Sequence, residues 1–419
     1  MVTPPTERPS PIPPSTVLIG VLALLTAVPP LATDMYLPGF PAMARELGTT
    51  ASSIQLTLTA FLIGMALGQL VIGPLSDQWG RRMPMIAGSA VCLAAGVGAA
   101  LAPSIELLVG ARFLQGFAGA AGVVLARAIV ADRTRGPRAA QLFGILMIIG
   151  GIAPVVAPLL GGLAVDTVGW RGIFWILAGL TALMLAAAIF FVPESLPPEN
   201  RHAGGLRSLL ASIGSVARNR TYMGYTLTFG FAFTAFFAYI SASPFVLQNM
   251  FGLSAASYSV VFAVNSLGLM VTSALAAKLA HRFTLRGMLA VGVGALTAST
   301  AFLLFSVLVG AGLWPTLVLL FLTVLSLGFI FANAATLATT QVPQSAGTAS
   351  ALLGAIQFGL AAVISPIVGL GGEDTALPMA IAMFVAALVA AVTMYAMTTR
   401  DSDLTGTRST GAATPDTVH

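Results

Sequence analysis

Charge is what this sequence has least of. Asp, Glu, Lys and Arg make up 8% of its 419 residues, against about 25% in a soluble domain. So little charge cannot cover a soluble fold of this length, and 57% of the residues are hydrophobic. Most of the surface is therefore expected to face lipid. Cysteine is almost absent as well. Cys92 stands alone, which excludes an intramolecular disulfide. The three histidines, His202, His281 and His419, are scattered and support no metal site. Lysine occurs once, at Lys278, and arginine supplies the other basic residues. The net charge of +5 does not point to nucleic acid, because these residues sit in short clusters between apolar runs. A Gly-x-x-x-x-Gly-Lys-Ser/Thr phosphate loop is missing, which argues against an ATP-driven pump. The pairs Gly96/Gly98 and Gly292/Gly294 lie inside apolar runs and read as packing residues.

What the sequence does contain is a series of apolar runs of about 20 residues, the length that crosses a hydrocarbon core of roughly 30 Å. They lie near 17–38, 51–73, 83–101, 105–127, 139–164, 171–192, 221–247, 256–280, 286–309, 314–338, 347–370 and 377–398. The pattern predicts an all-α membrane protein with twelve transmembrane helices. A six-helix half over 17–192 is joined by a polar linker, 193–220, to a second half over 221–398. The proline-rich segment 1–16 and the polar segment 399–419 are expected to be disordered tails. The first has no basic region or small-residue cleavage site ahead of the first run, so that run reads as a retained span. In the linker, Leu206, Leu209, Leu210, Ile213 and Val216 recur at helical spacing, as in a short amphipathic helix on the membrane surface. With both termini inside, basic residues such as Arg81, Arg82, Arg133, Arg138, Arg218, Arg220, Lys278 and Arg282 fall on the cytoplasmic side. The outer side then receives only Arg45 and Arg171, as positive-inside orientation requires.

Four segments depart from plain apolar sequence. The turn after span 2 reads Gly73-Pro-Leu-Ser-Asp77-Gln-Trp-Gly80-Arg81-Arg82. It places a carboxylate and two cations at the membrane surface, with glycines that permit a tight turn and a carboxylate able to cap a helix. The second half echoes it at Ser273 to Arg286, without the carboxylate or the glycines. Span 4 carries Arg112, Gln115, Gly116 and Gly119 on one face. An arginine inside a span costs at least about 2.5 kcal/mol and must face protein or water. Span 5 contains Gly150, Gly151, Pro154, Pro158, Gly161 and Gly162, a pattern of bends and close packing. Span 1 ends Pro29-Pro30-Leu-Ala-Thr33-Asp34-Met-Tyr36-Leu-Pro38. Asp34 is the only acidic residue expected within a span, unless it sits at the outer end of span 1, capping or solvated.

The Asp77 turn, the Arg112 face and the span 5 run resemble the signature motifs of the major facilitator superfamily. The span 5 run is similar to its antiporter motif, with Ala157 where that pattern has glycine. The string Ala-Thr-Asp-Met-Tyr-Leu-Pro resembles the bicyclomycin and chloramphenicol resistance branch, Bcr/CflA. This resemblance implies a monomeric drug:proton antiporter of the bacterial cytoplasmic membrane. It would need no cofactor beyond the proton gradient, and its partners would be protons, membrane lipid and a small amphipathic drug. Asp34 would load and unload the proton, with Arg112 tuning it and Tyr36 within reach as a donor. Gly73, Asp77, Gly80, Arg81 and Arg82 would form a gating loop, Asp77 meeting the start of span 11 near Gly347 to Ser350. Candidate substrate contacts are Tyr36, Gln115, Phe229, Phe233, Phe236, Tyr239, Asn265, Asn333 and Gln357. The Asn and Gln side chains are costly in lipid and so face inward. A single membrane carboxylate suits neutral or monocationic amphiphiles. A carrier for an endogenous metabolite is the main alternative. An enzyme lacks support from paired carboxylates or a nucleophile triad, and a channel lacks a filter-like loop.

Overall fold

Two helix breaks among the described residues fall beside proline or glycine: Pro29 and Pro30 precede the one after Asp34, and Gly169 makes the other. A computed structural model describes residues 16–134, 136–201, 213–372 and 374–398. The expected tails and most of the expected linker helix lie outside these residues, although residues 213–217 of it are helical. The first half comprises α1 (Thr16–Asp34), α2 (Phe40–Glu46), α3 (Ala51–Trp79), α4 (Arg82–Leu101), α5 (Ile105–Arg133) and α6 (Gly136–Phe191). The second half comprises α7 (Arg220–Phe245), α8 (Ala255–Leu279), α9 (Leu285–Leu308), α10 (Leu313–Thr340), α11 (Ala346–Gly369) and α12 (Leu377–Met397). No strand occurs among the described residues.

Eleven helical segments among the described residues are long and apolar enough to cross a bilayer. One of them, Gly144–Phe191, has 48 residues. At 1.5 Å per residue it would run about 72 Å, more than twice the hydrocarbon core. Gly169 resolves this. Its backbone, at φ 69° and ψ 176°, is non-helical and splits α6 into two crossings. Twelve crossings result, in agreement with the sequence pattern. Span 1 differs from expectation. It does not end near residue 38 but breaks after Asp34, passes through a 3-10 turn at Leu37–Gly39, and continues as α2 to Glu46.

Both described chain ends lie at one face of the bundle, called here the termini face; the opposite one is the far face. Within the first half α3 and α4 pack on α5, while α1 and α4 pack on α6. The second half repeats the plan, with α7 against α11 and α12 and α10 against α8 and α9. The halves meet along two seams, α3 with α11 and α6 with α8. One apolar core runs through the first half from Leu18, Val130 and Val192 at the termini face to Tyr36 and Phe40, and joins second-half residues such as Phe237, Leu247, Tyr258 and Val368 toward the far face. A second core, around Tyr222, Leu289, Leu337 and Leu353, belongs to the second half and its linker alone. The halves therefore share their packing at the far face and not at the termini face. Large apolar side chains such as Leu163, Phe190, Phe302 and Trp314 project outward, as a lipid-facing surface requires.

Gly169→Ala places a side chain in a backbone region essentially restricted to glycine, at a cost of about 1–3 kcal/mol. The expected outcome is a lower unfolding temperature in detergent. Gly179→Ala, where an added methyl meets nothing within 4 Å, should leave that temperature unchanged.

Candidate functional site

The break in α1 organises the site. Pro29 and Pro30 lie inside α1 and lack the N–H groups that would continue its ladder. Four residues later the helix stops at Asp34, which is 5% exposed. Asp34 thus stands at the end of α1, as one alternative had it, but it is buried rather than solvated. Among the described residues Asp34 forms no ion pair within 4.0 Å. Its carboxyl lies close enough to interact electrostatically with Tyr239 and Tyr258 of the other half. Tyr239 accepts a hydrogen bond from Asn265 Nδ2 at 2.8 Å, and the Tyr258 hydroxyl lies 3.3 Å from Ser243 Oγ. One acid of the first half therefore lies within electrostatic range of two tyrosine hydroxyls of the second.

Arg112 sits beside the same break but does not pair with Asp34. It is fully buried. Its Nη2 donates to the Ala32 carbonyl at 2.9 Å, and its Nη1 to Gln115 Oε1 at 2.6 Å. The guanidinium lies 4.4 Å from the Tyr36 ring centre, 4.3 Å from Phe61 and 5.6 Å from Phe174. Aromatic faces stabilise a desolvated cation by about 2 kcal/mol or more. The charge also sits at the C-terminal end of α1, the negative end of its dipole. Arg112 therefore holds the backbone two residues before Asp34. Its Nε remains without a hydrogen-bond partner. Tyr36 does not donate to Asp34 either. Its hydroxyl lies 3.1 Å from Thr57 Oγ1, which itself donates to the Ile54 carbonyl at 2.6 Å. Tyr36 and Gln115 are both enclosed in the Arg112 cluster.

Two consecutive glycines of the span 5 run hold this break from behind. A methyl added at Gly161 would lie 1.9 Å from the Met35 carbonyl oxygen, so only glycine lets α6 approach there. A methyl at Gly162 would lie 2.3 Å from Ser259 Oγ of α8, across the seam between halves. Gly150 has only Thr26 at 4.0 Å, and Gly151 has nothing within 4 Å. Pro154 and Pro158 lie inside the helix. On the far side of the break, Glu46 accepts from Trp170 Nε1 at 2.6 Å and from Arg171 Nη1 at 2.7 Å. This pins α2 to the turn at Gly169.

The second half offers an aromatic surface. Phe233 of α7 lies 5.8 Å from Phe331 of α10 and 5.7 Å from Phe358 of α11. Phe229 and Phe236 pack on Phe331 at 5.2 and 6.2 Å, and Phe236 stacks on Tyr239 at 6.3 Å. Phe233, Phe236, Phe331 and Phe358 are each partly exposed. Phe358 escapes a reading of the sequence because it is the one aromatic of its span, and Phe331 because it is one of several aromatics in α10 with nothing local to mark which faces inward. Gln357 is half-buried beside Phe358. Asn333 is buried and donates to the Phe329 carbonyl of its own helix at 2.7 Å.

Hydrogen bonds between the halves cluster toward the far face. Ser52 Oγ donates to the Pro366 carbonyl at 3.1 Å and Gln55 Nε2 to the Ser241 carbonyl at 2.9 Å. Thr59 Oγ1 donates to the Ala362 carbonyl at 3.0 Å. That carbonyl has no helical partner because Pro366, four residues on, has no N–H. Gln248 Nε2 donates to the Pro38 carbonyl at 3.1 Å.

At the termini face the Asp77 segment is tied within its own half. The helix α3 continues to Trp79, so Gly73 lies inside it and only Gly80, at φ 92°, makes the turn. The expected ten-residue loop is in fact two residues long, because a helical backbone satisfies its own polar groups through Trp79. Arg81 pairs with Asp77 at 2.5 Å and Asp132 at 3.1 Å, and Ser195 donates to Asp132 at 2.9 Å. Arg82 Nη2 donates to the Ile189 carbonyl at 2.8 Å. Glu194 accepts from the N–H groups of Arg81 and Arg82 at 2.8 and 3.2 Å and so caps α4. Burial alone would raise the Glu194 carboxyl; backbone N–H donors of Leu196, Arg81, Arg82 and Ser195 overcome this and hold it below its ordinary value. Sequence reasoning singled out neither Glu194 nor Asp132. Their signal is that they are acids just beyond span ends on the side otherwise rich in arginine.

The family model described as Major Facilitator Superfamily matches residues 22–366. An uncharacterized MFS-type transporter of Bacillus subtilis, YdgK, is 37% identical over 383 residues, which are 91% of this chain and 94% of that protein. A bicyclomycin resistance protein homolog of Haemophilus influenzae is 30% identical over 92% of this chain and 97% of its own length. The crystal structure of a D-xylose–proton symporter superposes with a TM-score of 0.73 at 14% identity, covering 91% of this chain and 98% of its own.

Gly161→Ala is expected to lower the unfolding temperature in detergent sharply, because the Met35 carbonyl cannot be displaced without moving the break. Gly151→Ala should have no such effect. For Glu194 the folded value is depressed, so its contribution to stability is complete above the ordinary glutamate value near 4.5 and is lost as pH falls through the folded value. The stability difference between the native chain and Glu194→Gln, read by unfolding at a series of pH values, should shrink below about pH 4.5.

Proposed function

The chain belongs to the major facilitator superfamily, and from that premise we propose that it exports small amphipathic drugs, bicyclomycin- or chloramphenicol-like, in exchange for protons. Members of this family are transporters rather than enzymes, and the chain is a multi-pass membrane protein. The observation that carries the finer reading is the Asp34 carboxyl. It is buried at a helix break, without an ion pair among the described residues, and within electrostatic range of Tyr239 and Tyr258 of the opposite half. A charged carboxylate without a counter-ion in a dry site bears its desolvation cost alone. Such a group exchanges a proton when the two halves move and water or substrate reaches it.

In this mechanism Asp34 binds the proton, and Arg112 is a positioning residue that fixes the end of α1. The partly exposed ring surface of Phe233, Phe236, Phe331 and Phe358 takes the apolar body of the drug. The Tyr239–Asn265 pair and, on α11, Gln357 take its hydrogen-bonding groups. One carboxyl and no second acid in the described spans of this region suit a neutral or monocationic compound. The similarity to a bicyclomycin resistance protein homolog and the span 1 string support the drug class.

The bias of basic residues supports placing the termini face in the cytoplasm of a bacterium. On that assignment the closed far face makes this the inward-facing state. Alternating access would then open the seam at Ser52, Gln55 and Thr59 and close the termini face, bringing Asp77 to the start of α11. The chain works as a monomer driven by the proton gradient alone.

Vesicles carrying the purified chain and an imposed pH gradient test this. Asp34→Asn should reduce gradient-driven efflux of an amphenicol to the level of empty vesicles; full coupled export by that variant would sink the proposal. Arg112→Lys keeps the charge but loses the planar guanidinium that reaches the Ala32 carbonyl and the ring faces together. It should fold, and its transport should fall with a displaced pH profile rather than lose its dependence on the gradient.

A further inference from the structure

The lipid-facing side of the second half holds a feature that the transport mechanism does not use. Both α11 and α12 pack on α7, yet they touch each other far less. They splay apart and leave a groove of about 440 Å3, floored by Phe231 and Thr234 of α7. Ile364 and Ile367 of α11 form one wall, and Ile381 and Val385 of α12 the other. Thr234 is the only polar side chain in it, and its hydroxyl donates to the Gly230 carbonyl at 2.8 Å. Water in the groove would lack the two to four polar partners that hold a buried water in place. Ile367, Ile381 and Val385 are 48%, 44% and 51% exposed, on a surface that meets hydrocarbon.

The dimensions of the groove identify its occupant. Along α12 it extends from Leu377, the first residue of that helix at the far face, to Val389. That is about 18 Å at 1.5 Å per residue. One leaflet of a hydrocarbon core roughly 30 Å thick is about 15 Å deep. The groove therefore starts at the far-face boundary, ends near the midplane, and is apolar throughout. We propose that it binds one acyl chain of a phospholipid from the leaflet at the far face. Ile364 and Ile367 flank Ser365 and Pro366, so the chain lies directly behind the stretch of α11 that is hydrogen-bonded to α3. A seated acyl chain supports that stretch from the lipid side while the seam is closed.

Photolabelling tests the proposal. The full chain is reconstituted in phosphatidylcholine vesicles that contain a phosphatidylcholine with a mid-chain diazirine, irradiated, and mapped by mass spectrometry. Phe231 and Thr234 on the groove floor should be labelled several-fold more than Phe302 and Val392, which project from lipid-facing surfaces elsewhere. Ala382→Phe should fill the groove and abolish floor labelling while labelling at Phe302 persists. If that variant does not elute as a folded species, Val385→Trp serves in its place. Floor labelling no stronger than that at Phe302, or unchanged in the filled variant, overturns the proposal. So does displacement of the label by a saturating dissolved amphenicol, which would assign the groove to a transported compound instead.

Discussion

Inside a bilayer a backbone carbonyl released by a helix break has no water to turn to, and leaving it unpaired costs several kcal/mol. This constraint accounts for three of the long-range side-chain contacts in the molecule. Where α1 stops at Asp34, Arg112 supplies a donor to the Ala32 carbonyl. Where the chain turns at Pro38, Gln248 of the other half does so. Where Pro366 interrupts the ladder of α11, Thr59 reaches the Ala362 carbonyl from α3. Two of these three donors come from the opposite half. Satisfying the breaks and closing the far face are therefore the same event, and a seam of this kind can open only when its carbonyls find other donors.

The two charged groups at the break follow a related logic. Arg112 needs no anion because three ring faces, an amide oxygen and the end of a helix dipole surround it. Asp34, two residues beyond the carbonyl that Arg112 holds, is left without a counter-ion among the described residues. A direct ion pair would fix both charges and remove the carboxyl from any exchange of protons. Separating the two groups leaves the arginine to hold the backbone, and under the proposed function it leaves the acid available to a proton. The glycine at 161 makes the arrangement possible, since the Met35 carbonyl occupies the space that a side chain would need.

Much of this was legible in the sequence. The apolar runs defined twelve crossings, and the non-helical Gly169 restored the twelfth where eleven long segments were counted. Asp34 and Arg112 stood out because ionisable residues inside spans are costly. The reading failed where tertiary packing overrode local pattern. Gly73 looked like a turn residue but lies within α3, because nothing local obliges a helix to stop at glycine. Tyr36 looked like a donor to Asp34 but is drawn to Thr57 under the guanidinium. Glu194 and Asp132 carried no motif of their own; their partners, Arg81 and Arg82, are distant in sequence.

The sequence by itself determined that the chain lies in a membrane, how often it crosses, and which residues are too expensive there to be incidental. Those properties follow from length, hydropathy and the cost of charge in hydrocarbon, all of which are local. The tertiary structure alone decided which carbonyl each donor meets, that Asp34 and Arg112 stay unpaired, and that the far face is the closed one. Those are relations between helices hundreds of residues apart, such as Thr59 with Ala362, and no local pattern encodes the distance between them.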